Sequence, residues 1–172
     1  GKTAFANYFS GGIDARIAHD FNLDRSTGAI KSTSVLANKL HYVRRFFADR
    51  SYKLMPSQLT YLSRHGSVRH RDISGYRTVI VGNIPSFASG SNPFYKSDMA
   101  DGLLEIVCVC NLAQFLLAIA FGTVPVLGDL LKKFFLKTHK AKSITFEFSD
   151  GEYLQLDGED LSGKVDRQVN IE

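Results

Sequence analysis

The chain has 172 residues, of which 44% are hydrophobic and 22% charged, and its formal net charge is +4. These proportions are typical of one soluble domain that is large enough to bury a core. A nucleic-acid-binding domain usually carries a stronger and more clustered positive charge, so nucleic acid is not an expected partner.

The N-terminal part of the chain predicts one strand followed by two helices. The strand is expected over TAFANYFSGG, residues 3–12, where it ends in a double-glycine turn. Ile13, Ile17 and Phe21 recur at intervals of four, which predicts a short helix, and the polar residues 22–29 are expected to form a loop. The second helix is predicted from an apolar stripe made by Leu36, Leu40, Val43 and Phe47.

The middle of the chain has the composition of β-structure. Strands are predicted for SQLTYLS (57–63) and YRTVIVGNI (76–84), while residues 64–75 between them mix turn residues with arginine and histidine. Residues 83–94, NIPSFASGSNPF, are punctuated by proline and glycine and are expected to form an irregular loop.

One apolar segment, residues 102–122, has the length of a membrane-spanning helix. Glu105, Asn111 and Gln114 interrupt it, and each of these side chains is costly in hydrocarbon. The first half is rich in β-branched residues and the second half has helical spacing. A buried strand that leads into a buried helix is therefore the favoured interpretation.

The two cysteines, Cys108 and Cys110, lie within that segment. Two cysteines at this spacing on a strand rarely have the facing geometry of a disulfide. Alone they also cannot complete a four-ligand zinc site. Reduced thiols of a cytoplasmic protein are therefore expected.

The C-terminal part is expected to contain a helix and then strands. The helix is predicted for residues 126–140, after Pro125 breaks the chain. Two alternating stretches, ITFEF and EYLQL, flank Asp150-Gly151 and predict a β-hairpin with that pair as its turn. Residues 167–172 are expected to add a last strand.

A second Asp-Gly pair, Asp157-Gly158, precedes Glu159 and has no obvious returning strand. Its purpose is not explained by the local pattern. Taken together, the elements predict a mainly β (α+β) fold, a two-sheet β-sandwich lobe with three or four peripheral helices.

Local motifs for phosphate binding and for several enzyme classes are missing from the sequence. It contains neither G-x-x-x-x-G-K-[ST] nor G-x-G-x-x-G, and no G-x-S-x-G or H-E-x-x-H. The adjacent glycines in FSGGIDA are better explained by a tight turn. The residues alone therefore indicate a soluble β-rich domain whose chemistry, if it has any, rests on carboxylates.

Five separated segments together resemble the accessory domain of diacylglycerol kinases. The first is NYFSGGIDARIAHDF, which matches the family pattern at Asn7, Tyr8, Phe9, Ser10, Gly12, Asp14 and Ala15. The segments NKLHY (38–42), NIPSFASGSN (83–92), DGLLEIV (101–107) and LQLDGE (154–159) follow in the family's order. Each segment alone is a weak signal, but the ordered set covers nearly the whole chain.

The resemblance implies a two-lobed lipid kinase, of which residues 1–172 would be the C-terminal accessory lobe, a single domain. The N-terminal lobe, with its Gly-Gly-Asp-Gly nucleotide loop, is expected to be absent from this chain, which begins Gly1-Lys2-Thr3. Such a kinase transfers the γ-phosphate of ATP to a lipid hydroxyl, with diacylglycerol converted to phosphatidic acid as the expected reaction. ATP would be bound mainly by the absent lobe, so this chain alone is expected to be inactive.

An alternative remains open at this point. The chain could be a non-catalytic lipid-binding or interaction module from a protein that lacks a working nucleotide lobe. Another lipid hydroxyl, such as that of a sphingoid base, is also compatible with the same chemistry.

The resemblance also implies a catalytic residue, Glu159, because related bacterial lipid kinases carry their catalytic acid in an Asp-Gly-Glu motif. A carboxylate within hydrogen-bond reach can orient a lipid hydroxyl and take its proton during transfer. Asp157 is then interpreted as a turn former or local anchor, and Gly158 as the residue that lets the backbone bend. The alternative is a second hairpin with a solvated glutamate.

A structural Mg²⁺ is implied as well, with the side chain of Asp101 and the main-chain carbonyls of Asp98 and Leu103 as ligands. Oxygen ligands of these kinds suit a hard cation. The alternative is an Asp-Gly turn that leads into the following strand. Asp14 and Asn7, in the first segment, are interpreted as a helix-capping aspartate and a strand-end asparagine.

Basic runs lie beside Phe46, Phe47, Phe134 and Phe135 and suggest contact with anionic lipid headgroups. A lipid kinase must meet its substrate at a bilayer, so a cytoplasmic protein that is peripheral at membranes is expected. The alternative is that these phenylalanines belong to the core and the lysines and arginines between them are merely solvated.

Overall fold

The computed structural model of the chain describes residues 7–28, 40, 44–85, 93–94, 97–120 and 133–172. Nine strands lie in these ranges. In chain order they are β1 (Tyr8–Gly12), β2 (Gln58–Ser63), β3 (Val68–Asp72), β4 (Thr78–Gly82), β5 (Leu104–Val109), β6 (Lys137–Glu147), β7 (Leu154–Leu156), β8 (Glu159–Asp160) and β9 (Gln168–Ile171). The longer helices are α1 (Ile13–Ser26) and α2 (Leu112–Ala120), and residues 44–48 and 133–135 are also helical.

All nine strands belong to one antiparallel sheet, in the order β3-β2-β6-β5-β4-β1-β7-β8, with β9 also paired to β6. The eleven residues of β6 make this branching possible. The first half of β6 pairs with β5 and the second half with β9, while β2 runs along its other edge.

The sheet is strongly curved. The ring centroids of Phe9 on β1 and Phe146 on β6 lie 5.6 Å apart, although β4 and β5 separate these strands in sheet order. A flat sheet would hold the two strands about 14 Å apart. The curvature encloses a core to which most strands contribute, including the buried side chains of Leu59, Val81 and Ile106.

A second core lies on the opposite face of β4 and β5. Ile80 and Val107 pack there against Ile17 of α1 and Phe115 of α2, and all four are buried. Burial on both faces explains why these strands are continuous apolar runs rather than alternating ones. The predicted fold class, mainly β with helices at the periphery, is confirmed, but the nine strands form one curved sheet rather than the two sheets that were predicted.

Four predicted strands are confirmed and correspond to β2, β4, β5 and β9. The strand predicted for residues 3–12 is confirmed over its second half, because β1 begins at Tyr8; residues 1–6 lie outside the described residues. Gly12 ends this strand with a φ of 108°, and a Cβ there would lie 2.5 Å from the carbonyl oxygen of Arg77. The chain can therefore turn from β1 into α1 only at a glycine.

Helix α1 is longer than predicted. Its buried residues Ile13 and Ile17 confirm the apolar face, but the loop predicted over 22–29 is wrong for residues 22–26. Two of those residues contact distant parts of the chain: Asn22 donates to the Gly158 carbonyl and Asp24 pairs with Arg45. Such tertiary contacts stabilise a last helical turn that the local sequence does not predict.

The hairpin predicted around Asp150-Gly151 is wrong. Strands β6 and β7 flank that turn but do not pair, because β7 lies against β1 and β8, while β6 lies against β2, β5 and β9. The second pair, Asp157-Gly158, is the hairpin turn instead. It joins β7 to β8, and both residues have positive φ, 50° and 87°, as a two-residue type I′ turn requires.

Two further predictions need correction. Strand β3 lies within residues 64–75, the segment between two predicted strands for which no strand was predicted; β3 forms an edge of the sheet, is largely exposed and so lacks an alternating pattern. The helix predicted over 126–140 is wrong from Lys137 onward, where β6 begins. Residues 126–132, and most of the loop predicted for 83–94, lie outside the described residues.

The apolar stripe predicted for the second helix is not the buried face. Leu40 and Phe47 are 62% and 52% exposed, whereas Phe46 is only 3% exposed. Phe46 stacks on Phe115 of α2 with the ring centroids 4.8 Å apart, and this contact decides which side of the helical segment faces inward. The other members of the stripe, Leu36 and Val43, lie outside the described residues.

The long apolar segment forms β5 and then α2, as predicted. No helix among the described residues is both long and apolar enough to cross a bilayer.

Cys108 and Cys110 are free thiols, as expected. Burial raises the pKa of Cys108 to about 12, so this thiol is protonated and unreactive at neutral pH.

Candidate functional site

The β7–β8 hairpin presents two consecutive acidic residues on opposite faces of the sheet. Glu159 is paired with Leu156, and Asp160 with Gln155. Because side chains alternate along a strand, Asp160 lies on the face that α1 covers and Glu159 on the other. Glu159 is exposed, so its carboxylate is accessible from outside the chain.

Asp157 fastens this hairpin to the first strand. Its Oδ1 accepts the main-chain N–H of Tyr8 at 2.9 Å, and its Oδ2 accepts the side-chain amide of Asn7 at 3.2 Å. Its own N–H donates to the Tyr8 carbonyl at 3.0 Å. Asp157 is therefore a local anchor, which agrees with its interpretation from the sequence, and Asn7 contacts it from just before β1.

Helix α1 holds the other side of the hairpin. Asn22 donates to the carbonyl oxygen of Gly158 at 3.1 Å, and Nδ1 of His19 lies 2.9 Å from Oδ2 of Asp160. Burial acts to raise the pKa of Asp160, but hydrogen bonds from Ser162 and the contact with His19 outweigh it and hold that pKa below its usual range. Asp160 is thus ionised at neutral pH and engaged within the chain.

Ser10, Asp14 and Gln155 form a buried polar cluster next to the hairpin. Asp14 is 1% exposed, and its carboxylate accepts hydrogen bonds from the Ser10 hydroxyl and from the Gln155 amide. The residue at the N-cap of α1 is Gly12, so the interpretation of Asp14 as a capping residue is wrong. Its bonds join β1 and β7 instead. Burial, together with the nearby charges of Asp14 and Asp157, raises the pKa of Tyr8.

A second cluster, centred on Glu152, lies before β7 and is invisible to local sequence motifs. Glu152 is 3% exposed and accepts the Tyr52 hydroxyl and the main-chain N–H groups of Met55 and Tyr153. Arg16 of α1 lies over the rings of both tyrosines, at 5.0 and 5.4 Å. Because burial and then the bond to Glu152 raise the pKa of Tyr52, this hydroxyl keeps its proton and acts as a donor.

The residues expected to bind Mg²⁺ lie just before β5. Oδ1 of Asp98 accepts the N–H of Ala100 at 2.9 Å, and Oδ1 of Asp101 accepts the N–H of Leu103 at 2.9 Å. These bonds are those of two successive aspartate turns. The Nζ of Lys140 lies 2.6 Å from Oδ2 of Asp101, and this hydrogen bond is the main reason that the pKa of Asp101 lies below its usual range.

Lys140 also neutralises Glu105, the buried carboxylate that interrupts the long apolar segment. Glu105 is 2% exposed, lies directly opposite Lys140 in the β5–β6 ladder, and its Oε1 is 3.1 Å from Nζ. Burial raises the pKa of Glu105, and the hydrogen bond and charge of Lys140 oppose that rise. One ammonium group therefore serves two carboxylates. No cluster of three or more His, Cys, Asp or Glu side chains suited to a metal occurs among the described residues.

The two predicted sites are not one site. Strands β4, β1 and β7 lie between β5, which follows Asp101, and β8, which carries Glu159. Four strand spacings correspond to about 19 Å along the sheet.

Exposed aromatic side chains lie beside α2. Phe134 and Phe135 are 72% and 57% exposed, and Lys133 beside them is exposed as well. The side chain of Gln114 on α2 donates to the Phe135 carbonyl at 2.8 Å, which fixes the main chain of this segment. Of the four phenylalanines considered for membrane contact, Phe46 alone is buried, and it belongs to the second core.

Comparison with known proteins gives a consistent family. The family profile for the diacylglycerol kinase accessory domain matches residues 4–160. The eye-specific diacylglycerol kinase of Drosophila melanogaster is 34% identical over 113 residues, which are 59% of this chain and 8% of the fly protein. Diacylglycerol kinase 5 of Arabidopsis thaliana is 26% identical over 190 residues, covering 92% of this chain and 35% of the plant protein.

The fold has relatives among solved structures. The crystal structure of a diacylglycerol kinase from Bacillus anthracis covers 90% of this chain with a TM-score of 0.50 and 19% sequence identity, and this chain covers 45% of it. At that identity the likeness shows a shared fold. This chain spans less than half the length of each of these relatives.

Proposed function

The chain belongs to the diacylglycerol kinase accessory domain family, and on that premise we propose that it is the C-terminal lobe of a lipid kinase. The kinase would transfer the γ-phosphate of ATP to a lipid hydroxyl, with diacylglycerol as acceptor and phosphatidic acid as product. The observation that carries the proposal is the β7–β8 turn, whose main chain is fastened on both sides while the Glu159 carboxylate is exposed. A general base needs this combination of a fixed main chain and a free carboxylate.

In the proposed reaction, the lipid hydroxyl oxygen forms a bond to the γ-phosphorus as the bond from that phosphorus to the β–γ bridging oxygen breaks. The hydroxyl proton passes to Glu159, and ADP leaves with the electron pair of the broken bond. Phosphoryl transfer depends mainly on positioning and charge stabilisation, so orientation of the hydroxyl and removal of its proton are the tasks left to a carboxylate. General-base assistance of this kind is typically worth about 10²–10⁴ in rate.

ATP would be bound mainly by an N-terminal nucleotide-binding lobe outside this chain. The absence of phosphate-loop motifs from the 172 residues supports that division of labour. We therefore propose that this chain alone binds ATP negligibly and is inactive. Calorimetric titration with ATP tests this, and micromolar binding would contradict it.

The structural Mg²⁺ at Asp101, Asp98 and Leu103 stays a prediction. In the arrangement described above, the Lys140 ammonium already lies 2.6 Å from Oδ2 of Asp101, and Leu103 directs its N–H at Oδ1. These residues therefore do not fit a divalent cation unless Lys140 moves away. The proposed reaction passes through no step that requires this cation.

We also propose that the protein is peripheral at membranes and that Phe47, Phe134 and Phe135 contribute to the contact. Their exposure, and the exposed Lys133 beside two of them, support insertion among anionic headgroups. The same exposed aromatic side chains favour the second candidate function, a non-catalytic lipid-binding module, because such a module needs no nucleotide lobe.

A lipid-phosphorylation assay of the full-length protein that contains this chain separates the two functions. The wild-type protein is expected to phosphorylate diacylglycerol in vesicles, and a panel that includes a sphingoid base identifies the preferred acceptor. Glu159→Gln should lower turnover by about 10²-fold or more. Glu147→Gln on β6, which also alters an exposed glutamate, is the matched control and should leave turnover unchanged. Near-normal turnover in Glu159→Gln would remove this residue from the mechanism, and vesicle binding without any phosphorylation would favour the module.

A further inference from the structure

We propose that His19 is a positioning residue for Glu159, acting through Asp160. This inference rests on the proposed function, since it concerns the carboxylate that would act as the base. It is derived from the hairpin geometry and the contact between α1 and β8. Neither residue is in contact with the reacting atoms in this proposal.

The pairing of β8 with β7 is short and only weakly fixes the position of β8. This strand has two residues, lies at the end of the sheet order and, among the strands that the structure describes, pairs with β7 alone. A ladder this short is marginally stable in water, so hydrogen bonding between β7 and β8 does not by itself fix the orientation of Glu159.

The two residues of β8, Glu159 and Asp160, point to opposite faces of the sheet. Asp160 is opposite Gln155, on the side of α1, and its Oδ2 is 2.9 Å from Nδ1 of His19. Adjacent strand residues point in opposite directions, so holding Asp160 against α1 turns Glu159 away from α1. The bond from His19 thereby selects the face on which the Glu159 carboxylate is presented.

The side chain of His19 is itself fixed by its neighbours. It lies on α1, seven residues beyond the Gly12 turn, and its ring meets the Tyr153 ring edge-to-face with centroids 5.3 Å apart. Arg16, one turn earlier on the helix, packs over the same tyrosine. His19 is therefore a fixed donor rather than a mobile surface side chain, although it remains partly exposed.

The two carboxylate oxygens of Asp160 have different partners. Asp160 also accepts the Ser162 N–H at 2.9 Å through Oδ1, which leaves Oδ2 for His19. The two oxygens thus join the hairpin both to the following turn and to α1. Loss of His19 would leave the turn bond and the Asn22 bond to Gly158 in place but remove the side-chain bond that joins Asp160 to α1.

The test uses the full-length kinase that contains this chain. His19→Ala should lower kcat about tenfold or more while leaving KM for ATP within about twofold, because the nucleotide does not contact His19 in this proposal. His19→Asn carries a side-chain N–H near the position of Nδ1 and should recover most of kcat. His70→Ala is the matched control: His70 lies on β3, is exposed and contacts Thr60, so kcat should not change.

Two further measurements separate failure of this inference from failure of the proposed function. In a Glu159→Gln background, His19→Ala should cause no additional loss, since both act on one carboxylate. Amide hydrogen exchange over residues 157–161 should be faster in His19→Ala than in the wild type, and this readout does not depend on activity.

If Glu159→Gln is active, the proposed base is wrong, whatever His19 does. If Glu159→Gln is inactive but His19→Ala has wild-type kcat or unchanged exchange at 157–161, the positioning role is wrong. A loss of kcat in His19→Ala that His19→Asn does not recover would also overturn it.

Discussion

Asp157 and Tyr8, 149 residues apart in sequence, are joined by a main-chain and a side-chain hydrogen bond: Tyr8 N–H donates to the Asp157 carboxylate at 2.9 Å, and Asp157 N–H donates to the Tyr8 carbonyl at 3.0 Å. The pair closes the C-terminal hairpin onto the first strand. Asp157 also has a φ of 50°, a conformation that aspartate and asparagine tolerate better than most residues.

The first prediction concerns this anchor. Asp157→Ala removes the acceptor for Tyr8 and places alanine at positive φ, so it should lower the free energy of unfolding by about 1–3 kcal/mol. Asp157→Asn retains one acceptor oxygen and tolerates the backbone angle, and should cost less than half as much. Urea denaturation followed by tyrosine fluorescence is a suitable measurement, because the chain has seven Tyr and no Trp. Equal losses in the two variants would contradict this account.

The second prediction concerns Gly12, where β1 turns into α1. Gly12→Ala would place a Cβ 2.5 Å from the Arg77 carbonyl oxygen at a φ of 108°, so we expect a loss of about 3 kcal/mol or more, or failure to fold. Gly66 has a φ of 82° with nothing within 4 Å of the added Cβ, so Gly66→Ala should cost only about 1 kcal/mol. Thermal unfolding of both variants separates the clash from the backbone angle, and similar losses would show that the clash at Gly12 is relieved.

The local sequence pattern was sufficient to predict strands that are marked by apolar residues or by flanking turn residues. β4 and β5 are apolar on both faces, and β2 is flanked by turn residues, so alternation and β-propensity place them without further information. Pairing is not local, and this is why Asp150-Gly151 was predicted to be a hairpin turn while the returning strand after Asp157-Gly158 was not recognised. β7 pairs with β1 rather than β6, because β1 has a free edge in the curved sheet that the sequence does not reveal.

The candidate site shows the same division. The LQLDGE and NYFSGGID segments carry the resemblance, but their contact through Asp157 and Tyr8 became visible only in the fold. The Glu152 cluster was missed altogether, since its partner Tyr52 lies 100 residues away and neither residue belongs to a motif. Lys140 was placed in a predicted helix, and only the β5–β6 register sets it opposite Glu105. Long-range register, rather than composition, was the missing information.

The third prediction tests membrane contact. Phe134→Ser with Phe135→Ser should weaken binding to vesicles that contain anionic phospholipid by roughly tenfold or more, because each exposed phenylalanine that inserts contributes on the order of 1.5 kcal/mol. Val68→Ser on β3 is the matched control, since Val68 is 58% exposed but lies on an edge strand that is separated from β6 by β2. Co-sedimentation with vesicles measures the effect, and unchanged binding of the double variant would remove these residues from the contact.

The fourth prediction concerns Lys140 and Mg²⁺. If the ammonium is the cation that neutralises Asp101, millimolar Mg²⁺ or a chelator should leave the thermal midpoint of the wild-type chain unchanged. Lys140→Met removes that charge and should create a saturable stabilisation by Mg²⁺, because Asp101 and Glu105 then need another cation. A saturable Mg²⁺ effect in the wild type would instead support the predicted metal site at Asp101, with Lys140 displaced.

The pH dependence of the same variant follows from Glu105. Burial raises the pKa of Glu105 and Lys140 opposes that rise, so Lys140→Met should raise it further. An acid whose pKa is higher in the folded than in the unfolded state holds its proton more tightly when folded. Such an acid therefore stabilises the fold most at pH values below the ordinary glutamate pKa, and this stabilisation is lost as the pH rises through the raised pKa.

Lys140→Met should accordingly cost about 1–3 kcal/mol at neutral pH, less than a fully buried pair because 26% of the Lys140 side chain is exposed. The loss should shrink as the pH falls, because Glu105 then takes up a proton and no longer needs the charge of Lys140. Asp101 contributes in the same direction: its lowered pKa stabilises the wild type above the ordinary aspartate pKa, and that contribution also disappears with Lys140. Urea denaturation across this pH range measures the difference, and a destabilisation that stayed constant with pH would show that Lys140 acts by packing rather than by charge.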